Sequence, residues 1–495
     1  MEKEKIAKIK KELAVKIGEE NVNNDPTELF AYGFEASLRY SPPSLVVRPR
    51  TTEDVKNIVN VARVYKIPLT PRGAGTSFAM QSLSLHDGIL VDFRQMNKIK
   101  SINVGDQLVT CEPGVYYREL NKKLGKLGFT FPPEPGSSDY VTVGGMVGNN
   151  ASGMHAVKYG ATKSWVIDLE VVLANGKVMH TGSRSLKSSS GYCLNELFTG
   201  SEGTLGLITE ITLKVGPKPK HFMTYMAALK EVNALGECAV EILKSGVIPS
   251  AMEFCDDISI SFMKQAMKVE IPQAALEPGA AILFVEVDGP TEPGVKSEAA
   301  IIEKILKERA IEVSMASTAE EREDLWYARH AITTLFTQAR KGRIMASQIL
   351  DIGIPTSKIP TFLNDLKAFL ALPENKTGTA LYGHIGDGNI HFGYAVDPEQ
   401  EREMEKAFRI RDKVSEMVLG LNGTLSAEHG TGFSRTVKLE DELGYKLEVM
   451  RWIKKALDPD NIMNPGPFFE VPVDDQGRPN EFIHTKPYVP GGSGD

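Results

Sequence analysis

Cysteine is scarce in this chain: four in 495 residues, Cys111, Cys193, Cys238 and Cys255, with no C-x-x-C pair among them. That spacing encodes neither a zinc knuckle nor an iron–sulfur cluster, and it suits a reducing compartment. Positive charge is not in excess either. A formal net charge of −7 leaves no basic surface of the kind nucleic acid requires, so nucleic acid is not an expected partner. Also missing is any uninterrupted apolar stretch near the ~18 residues a membrane span needs. The first five residues, Met-Glu-Lys-Glu-Lys, place charges where a secretory signal carries its apolar core. The expectation is a cytoplasmic protein without a transmembrane segment, associated with a membrane only through a partner.

What is present is an ordinary globular composition, 42% hydrophobic and 24% charged, in a chain too long for one core. Two or three domains are expected. Residues 1–40 form an N-terminal helical segment in which Ile6, Ile9, Leu13, Val15 and Ile17 interrupt lysines and glutamates, read as a mainly solvated amphipathic helix. From Leu45 to Val47 a β-branched run precedes a helix opening at Thr51-Thr52-Glu53-Asp54, and Pro68-Leu69-Thr70 leads into a glycine loop. Short strands separated by glycine turns then run to Val215, which reads as an α+β domain over 41–217. Gly216-Pro-Lys-Pro-Lys makes a stiff break, a second domain covers 218–430, a C-terminal segment covers 431–468, and 469–495 reads as an extended tail.

Three glycine loops share the first domain. Pro71-Arg-Gly-Ala-Gly-Thr-Ser77 follows a strand, and Gly73 and Gly75 let backbone N–H groups approach phosphate oxygens. It lacks the third glycine of a dinucleotide fingerprint and the lysine of a Walker loop. The second run extends from Pro135 through Gly144-Gly145 to Asn149, Ser152 and Gly153, and the third is Gly200-Ser-Glu-Gly203-Thr-Leu-Gly206. Each mixes glycine with small hydroxyl or amide side chains, a chemistry that holds a diphosphate and ring edges by backbone groups. On composition alone, a set of unrelated β-turns would read the same way.

The second domain carries Tyr382-Gly-His384-Ile-Gly-Asp-Gly-Asn-Ile-His391-Phe. Asp387-Gly388 between apolar runs predicts a two-residue hairpin loop, which pairs Gly386 with Asn389, Ile385 with Ile390 and His384 with His391. Opposed imidazoles at that separation can share one metal. A lone strand histidine is more often a hydrogen-bonded residue than a ligand, and a carboxylate is still needed. Ser426-Ala-Glu428-His429-Gly430 supplies one on a glycine-bounded loop, with a further histidine whose side chain points elsewhere.

In order and spacing, the three glycine loops resemble the FAD-binding segments of the vanillyl-alcohol oxidase/p-cresol methylhydroxylase superfamily. Over about residues 40–468 the chain is similar to its D-lactate dehydrogenase and glycolate oxidase flavoprotein-subunit branch. The resemblance implies a two-part FAD-binding domain, a substrate or cap domain with an antiparallel sheet and helices, and a C-terminal segment returning to the flavin. It implies that Arg72, Gly73, Ala74, Gly75, Thr76 and Ser77 cradle the diphosphate. Pro135, Gly136, Ser137, Ser138, Gly144, Gly145, Asn149, Ser152 and Gly153 would line a non-covalent flavin, Glu202, Gly203 and Ile208 complete the pocket, and Asn464 reach it from the C-terminus. Cys193 departs from the acidic residue usual after the tyrosine, and no function is assigned to it.

The same resemblance makes His384, His391 and Glu428 ligands of a divalent metal, zinc first with manganese or iron(II) open, and His429 the catalytic base. His384 and His391 would thereby also contact substrate. Arg329, in Leu325-Trp326-Tyr-Ala-Arg329-His330, matches the arginine that binds the substrate carboxylate. A helix-surface ion pair is the plain alternative for it. Ile349-Leu350-Asp351 looks like a family strand without the lysine some relatives carry before the aspartate, which disfavours a dicarboxylate substrate. The implied reaction is oxidation of a small D-2-hydroxy acid, D-lactate or glycolate, with hydride to flavin N5. Electrons would pass to an external acceptor: an iron–sulfur subunit, an electron-transfer flavoprotein or a quinone. Other readings are an oxidase using oxygen, a non-redox alkyl-transfer enzyme, or an electron-transfer flavin subunit without turnover of its own.

Overall fold

A computed structural model of the chain describes residues 3–37, 40–265, 271–316, 318–339, 344–345, 351–397, 400–471 and 473. Residues 474–495, most of the expected tail, and Ile349 and Leu350 of the expected strand lie outside the described residues. The N-terminal half is built on two sheets. In the first, Leu45–Val47, Ile89–Asp92 and Leu69–Arg72 run parallel, and Val22–Asn23 adds an antiparallel edge. The helix Thr52–Tyr65 covers it and starts where expected, with a capping box between Thr51 and Asp54. The helix Lys3–Ile17 corrects the solvated reading: Ile9, Leu13 and Ile17, four apart, are buried and pack beside Thr52–Tyr65. A helix face of that spacing gains more from burying its apolar stripe than from water.

The second sheet is antiparallel, ordered Ile99–Asn103, Leu108–Cys111, Leu207–Lys214, Val166–Val172, Val178–His180. The stiff break at Gly216–Pro217 is itself a short strand paired with Phe129–Thr130.

Beyond it, seven strands form one mixed-order sheet: Glu312–Met315, His221–Leu229, Ala281–Gly289, Ala251–Asp256, Ala380–His384, Asn389–Gly393, Asp351–Gly353, with every pair antiparallel. Side chains alternate between its faces. Met252, Phe254, Ile352, Leu381, Ile390 and Phe392 point to one face, which the helices Asn233–Lys244, Glu292–Arg309, Ile359–Leu370 and Glu401–Gly420 cover with apolar residues. The other face receives Ala251, Cys255, Ala380 and Tyr382 beside the helix Ala319–Ala339. By the same period of two, Glu253, Asp351, His384 and His391 fall on that second face. Charged side chains are thus gathered in one buried layer between the sheet and the N-terminal half.

The C-terminal segment closes the molecule. After the helix Tyr445–Leu457, Met463 bridges Leu69 and the Asn464 N–H donates to the Leu69 carbonyl. Lys454, buried, donates to Asp458 and to the carbonyls of Thr204 and Met463, and Asp458 accepts from the N–H groups of Ile462 and Met463. Removing one member of a buried ion pair costs about 3–5 kcal/mol. Lys454→Ala is therefore expected to lower the Tm sharply in a thermal melt; a melt matching the parent would show that this clasp carries no stability.

Candidate active site

The three glycine loops converge on a cavity of about 560 Å³ that opens onto the charged face of the seven-stranded sheet. Its lining holds every expected cofactor residue except Ser138, Gly153 and Asn464. Ser138 closes a turn by donating its N–H to the Pro135 carbonyl. Gly153 lets two loops cross, since a Cβ there would lie 1.9 Å from the Glu134 carbonyl oxygen. Asn464, buried at positive φ, donates from Nδ2 to the carbonyls of Gln81 and Glu202, so it braces the loops rather than facing the cavity.

Arg72 lines the cavity, yet its guanidinium donates to the carbonyls of Tyr32, Phe34 and Ser82, and the Ser77 hydroxyl is taken by Gln81. A Cβ on Gly136 or Gly148 would meet no atom of the chain within 4 Å although both line the cavity. At these two positions the cavity wall leaves open space.

At the other end of the cavity, the hairpin corrects the expected register. Tyr382 pairs with His391, Gly383 with Ile390 and His384 with Asn389, so the loop is the four residues 385–388. The shift amounts to two residues, and a shift of two keeps every side chain on its face. His384 and His391 are diagonal neighbours, with ring centroids 5.2 Å apart, within the reach of long side chains across a strand pair.

Three of the nine histidines aim at one oxygen. Glu428 Oε1 lies 3.3 Å from His384 Nε2, 3.2 Å from His391 Nε2 and 3.3 Å from His429 Nε2. Each ring turns its other nitrogen to a carboxylate: His384 Nδ1 to Glu253 at 2.6 Å, His391 Nδ1 to Asp351 at 3.5 Å and His429 Nδ1 to Asp351 at 3.1 Å. A carboxylate there holds a proton on Nδ1 and turns Nε2 toward Glu428, an orientation that histidine metal ligands also adopt. Asp351 belongs to the tight cluster with His391, Glu428 and His429. Its oxygens are taken by the N–H groups of Glu428 and His429, by Arg435 and by Asn389, so it orients the loop and the imidazoles around it.

Electrostatics follow from this packing. Burial would raise the Glu428 carboxyl, but His384, His391 and His429 hold it well below its ordinary range. Burial would lower the His384 imidazole, but Glu253 and Glu428 hold it well above its ordinary value. Asp351, fully buried, is likewise held well below the carboxylate range by His429 and Arg435 against the effect of burial.

Arg329 is no surface residue. It is 5% exposed, its Nη2 donates to Glu253 at 2.6 Å, its guanidinium lies 5.2 Å from the Tyr382 ring, and its buried Nε has no partner among the described residues. A buried N–H without an acceptor costs about 1–3 kcal/mol, and the residue itself lines the cavity. Sequence reasoning misses Glu253, the orienting role of Asp351, Arg435 and Gln81. The available signal is a carboxylate standing alone in an apolar strand, as in Ala251-Met-Glu-Phe and Asp351-Ile-Gly-Ile, which burial forces into a partnership.

Glu202 faces two ways. Its main chain borders the glycine loops, while its carboxylate accepts from the N–H groups of Thr431 and Gly432 at 2.8 and 2.9 Å, and burial pushes its carboxyl up to about 8. Gln81 Nε2 donates to the His429 carbonyl at 2.7 Å. The loop bearing Glu428 and His429 is therefore hung from the cofactor half of the cavity.

Residues 218–468 match the C-terminal domain of FAD linked oxidases, and residues 43–182 match an FAD binding domain. The chain belongs to the FAD-linked oxidase family. Within it the chain is 32% identical, over 93% of its length and 96% of the relative's, to the glycolate oxidase subunit GlcD of Bacillus subtilis (strain 168). It is 33% identical, over 92% of its length and 90% of the relative's, to a probable mitochondrial D-lactate dehydrogenase of Danio rerio. The family fold extends to p-cresol methylhydroxylase, with a TM-score of 0.77 at 18% identity over 94% of this chain and 97% of that one. It extends also to alkyldihydroxyacetonephosphate synthase, with a TM-score of 0.71 at 20% identity over 92% and 85%.

As a member of the FAD-linked oxidase family, the chain binds FAD through its N-terminal half. Gly148→Leu would thrust a side chain into the cavity from a position where no atom of the chain is in the way. The expected outcome is an apoprotein with an unchanged melt and an FAD affinity lower by tenfold or more, about 1.4 kcal/mol, read by flavin fluorescence titration. Unchanged affinity would place the flavin elsewhere.

Proposed function

We propose that the chain oxidises a small D-2-hydroxy acid, D-lactate or glycolate, to the 2-oxo acid, using FAD and a divalent cation. The observation that carries the reading is the convergence of three imidazole Nε2 atoms on Glu428 Oε1 beside a buried arginine on the cavity wall. His384, His391 and Glu428 would hold the cation, with zinc the first choice and manganese or iron(II) fitting the same donors. A cation bound there supplies positive charge to the substrate's hydroxyl and carboxylate oxygens. FAD, held non-covalently, supplies the acceptor for the Cα hydrogen and its electron pair.

The chain's own residues do the rest. Arg329, on the cavity wall, offers its guanidinium to the substrate carboxylate and fixes the orientation of Cα. His429, more exposed than His384 and His391 (30% against 14% and 11% of the side chain), takes the hydroxyl proton on Nε2 while Asp351 steadies Nδ1. The charged layer lies out of bulk water, where these interactions are strongest.

Such a cation-and-arginine pair suits a hydroxy acid and has no evident use in alkyl transfer. With no cluster-binding cysteines in the chain, electrons pass onward to an iron–sulfur subunit, an electron-transfer flavoprotein or a quinone. A cytoplasmic location belongs to the same proposal, although two relatives carry mitochondrial names. Among the described residues no helix is long and apolar enough to cross a membrane.

Anaerobic visible spectroscopy tests the reading. D-lactate or glycolate is expected to bleach the yellow metal-replete protein, L-lactate and D-2-hydroxyglutarate to do so poorly, and a chelator to abolish bleaching. His429→Ala should keep the flavin and slow its reduction by about 10²–10⁴, the usual contribution of a positioned base. Bleaching that survives metal removal undiminished would overturn the role of the cation, and a His429→Ala variant bleached at the parent rate would remove His429 as the base.

A further inference from the structure

Glu253 has no place in the chemistry above, yet it is fully buried and its two oxygens are divided between two of the groups that chemistry uses. Oε1 lies 2.6 Å from His384 Nδ1, and Oε2 accepts from Arg329 Nη2 at 2.6 Å. The strand register makes this contact unavoidable. Glu253 and His384 stand one residue beyond the Phe254–Gly383 pair of adjacent strands, on the face that also carries Tyr382 and His391. Arg329 comes down on them from the helix Ala319–Ala339, and its guanidinium rests over Tyr382.

We propose that Glu253 is a positioning residue that ties the substrate-carboxylate arginine to the metal-binding histidine, so that the two ends of one 2-hydroxy acid are gripped at a fixed separation. The inference rests on the functional reading above and extends it to a residue outside the ligand set. Oε1 keeps the His384 proton on Nδ1 and so keeps Nε2 open for the cation. Oε2 takes Nη2 of Arg329 and so fixes how the guanidinium is presented to the carboxylate at the cavity wall. A glutamine cannot do both. If its amide nitrogen faces His384, it donates to Nδ1 and moves the imidazole proton to Nε2. If it faces Arg329, two donors oppose each other.

The test uses the full-length FAD-loaded protein with Glu253→Gln and Glu253→Asp, the latter keeping the charge but too short to span both partners. Zn²⁺ affinity is measured by calorimetry on metal-stripped protein. KM and the limiting rate of flavin reduction are measured with D-lactate or glycolate at saturating metal. The expected result is a roughly 10–100-fold loss of Zn²⁺ affinity, the usual effect of removing a ligand's outer partner, together with a raised KM in both variants. The flavin spectrum should be intact and the limiting rate should fall less than KM rises. Arg329→Lys serves as the comparison, raising KM while leaving Zn²⁺ affinity near the parent value.

A change in only one of the two parameters, or in neither, overturns the tie. If Glu253→Gln fails to fold, Glu253→Asp decides by the same two readings. A parent protein that binds no Zn²⁺ removes the functional reading itself, which is distinct from a parent that binds Zn²⁺ and variants that match it.

Discussion

The carboxylate of Asp351 is sealed from water, and the chain surrounds it with donors: the main-chain N–H groups of Glu428 and His429, the Arg435 guanidinium, the Asn389 amide and the imidazoles of His391 and His429. An isolated buried carboxylate would be costly, so these partners are obligatory and their positions follow from it. The 428–429 loop must lie against the sheet edge at Asp351–Gly353, which brings Glu428 under His384 and His391 and turns His429 toward the cofactor loops. Arg435, also bonded to the Gly430 carbonyl, fixes the turn that follows. Without this carboxylate the strand pair would still hold its two histidines, but the main-chain N–H groups of Glu428 and His429 would lose the acceptor that seats them beside that pair.

The two halves of the cavity depend on each other through the same loop. Glu202 and Gln81, from the cofactor side, take up the N–H groups of Thr431 and Gly432 and the carbonyl of His429. Asn464 in turn ties Gln81 and Glu202 together from the C-terminal segment. A disturbance of the glycine loops therefore reaches His429 through main-chain hydrogen bonds. Such a route gives flavin binding and the proposed metal site a physical means of influencing each other, as linked equilibria require.

Much of the site is legible in the sequence because it is local. The three glycine loops, the capped helix at Thr51, the hairpin with its two histidines and the Glu428-His429 pair all lie within runs of a few residues. The hairpin register departs from expectation because Asp387-Gly388 is a strong two-residue turn signal, whereas the chain uses a four-residue loop. The difference does no harm to the site, since a slip of two keeps the face. Long-range adjacency is not legible. Glu253, Asp351 and Arg329 meet the histidines only because the sheet orders its strands 251–256, 380–384, 389–393, 351–353, and no local pattern states that order. The N-terminal helix reads as solvated for the same reason, its partner being the helix Thr52–Tyr65, far along the chain.

The central claim is that His384, His391 and Glu428, steadied by Glu253 and Asp351, are a metal site. Anomalous diffraction from crystals of the FAD-loaded protein grown with zinc tests it most directly. A single strong peak is predicted within ~2.0–2.2 Å of both histidine Nε2 atoms and a Glu428 oxygen, with Nδ1 of each ring still facing its carboxylate. No peak at that position, or zinc bound only at surface carboxylates or Cys193, would contradict it.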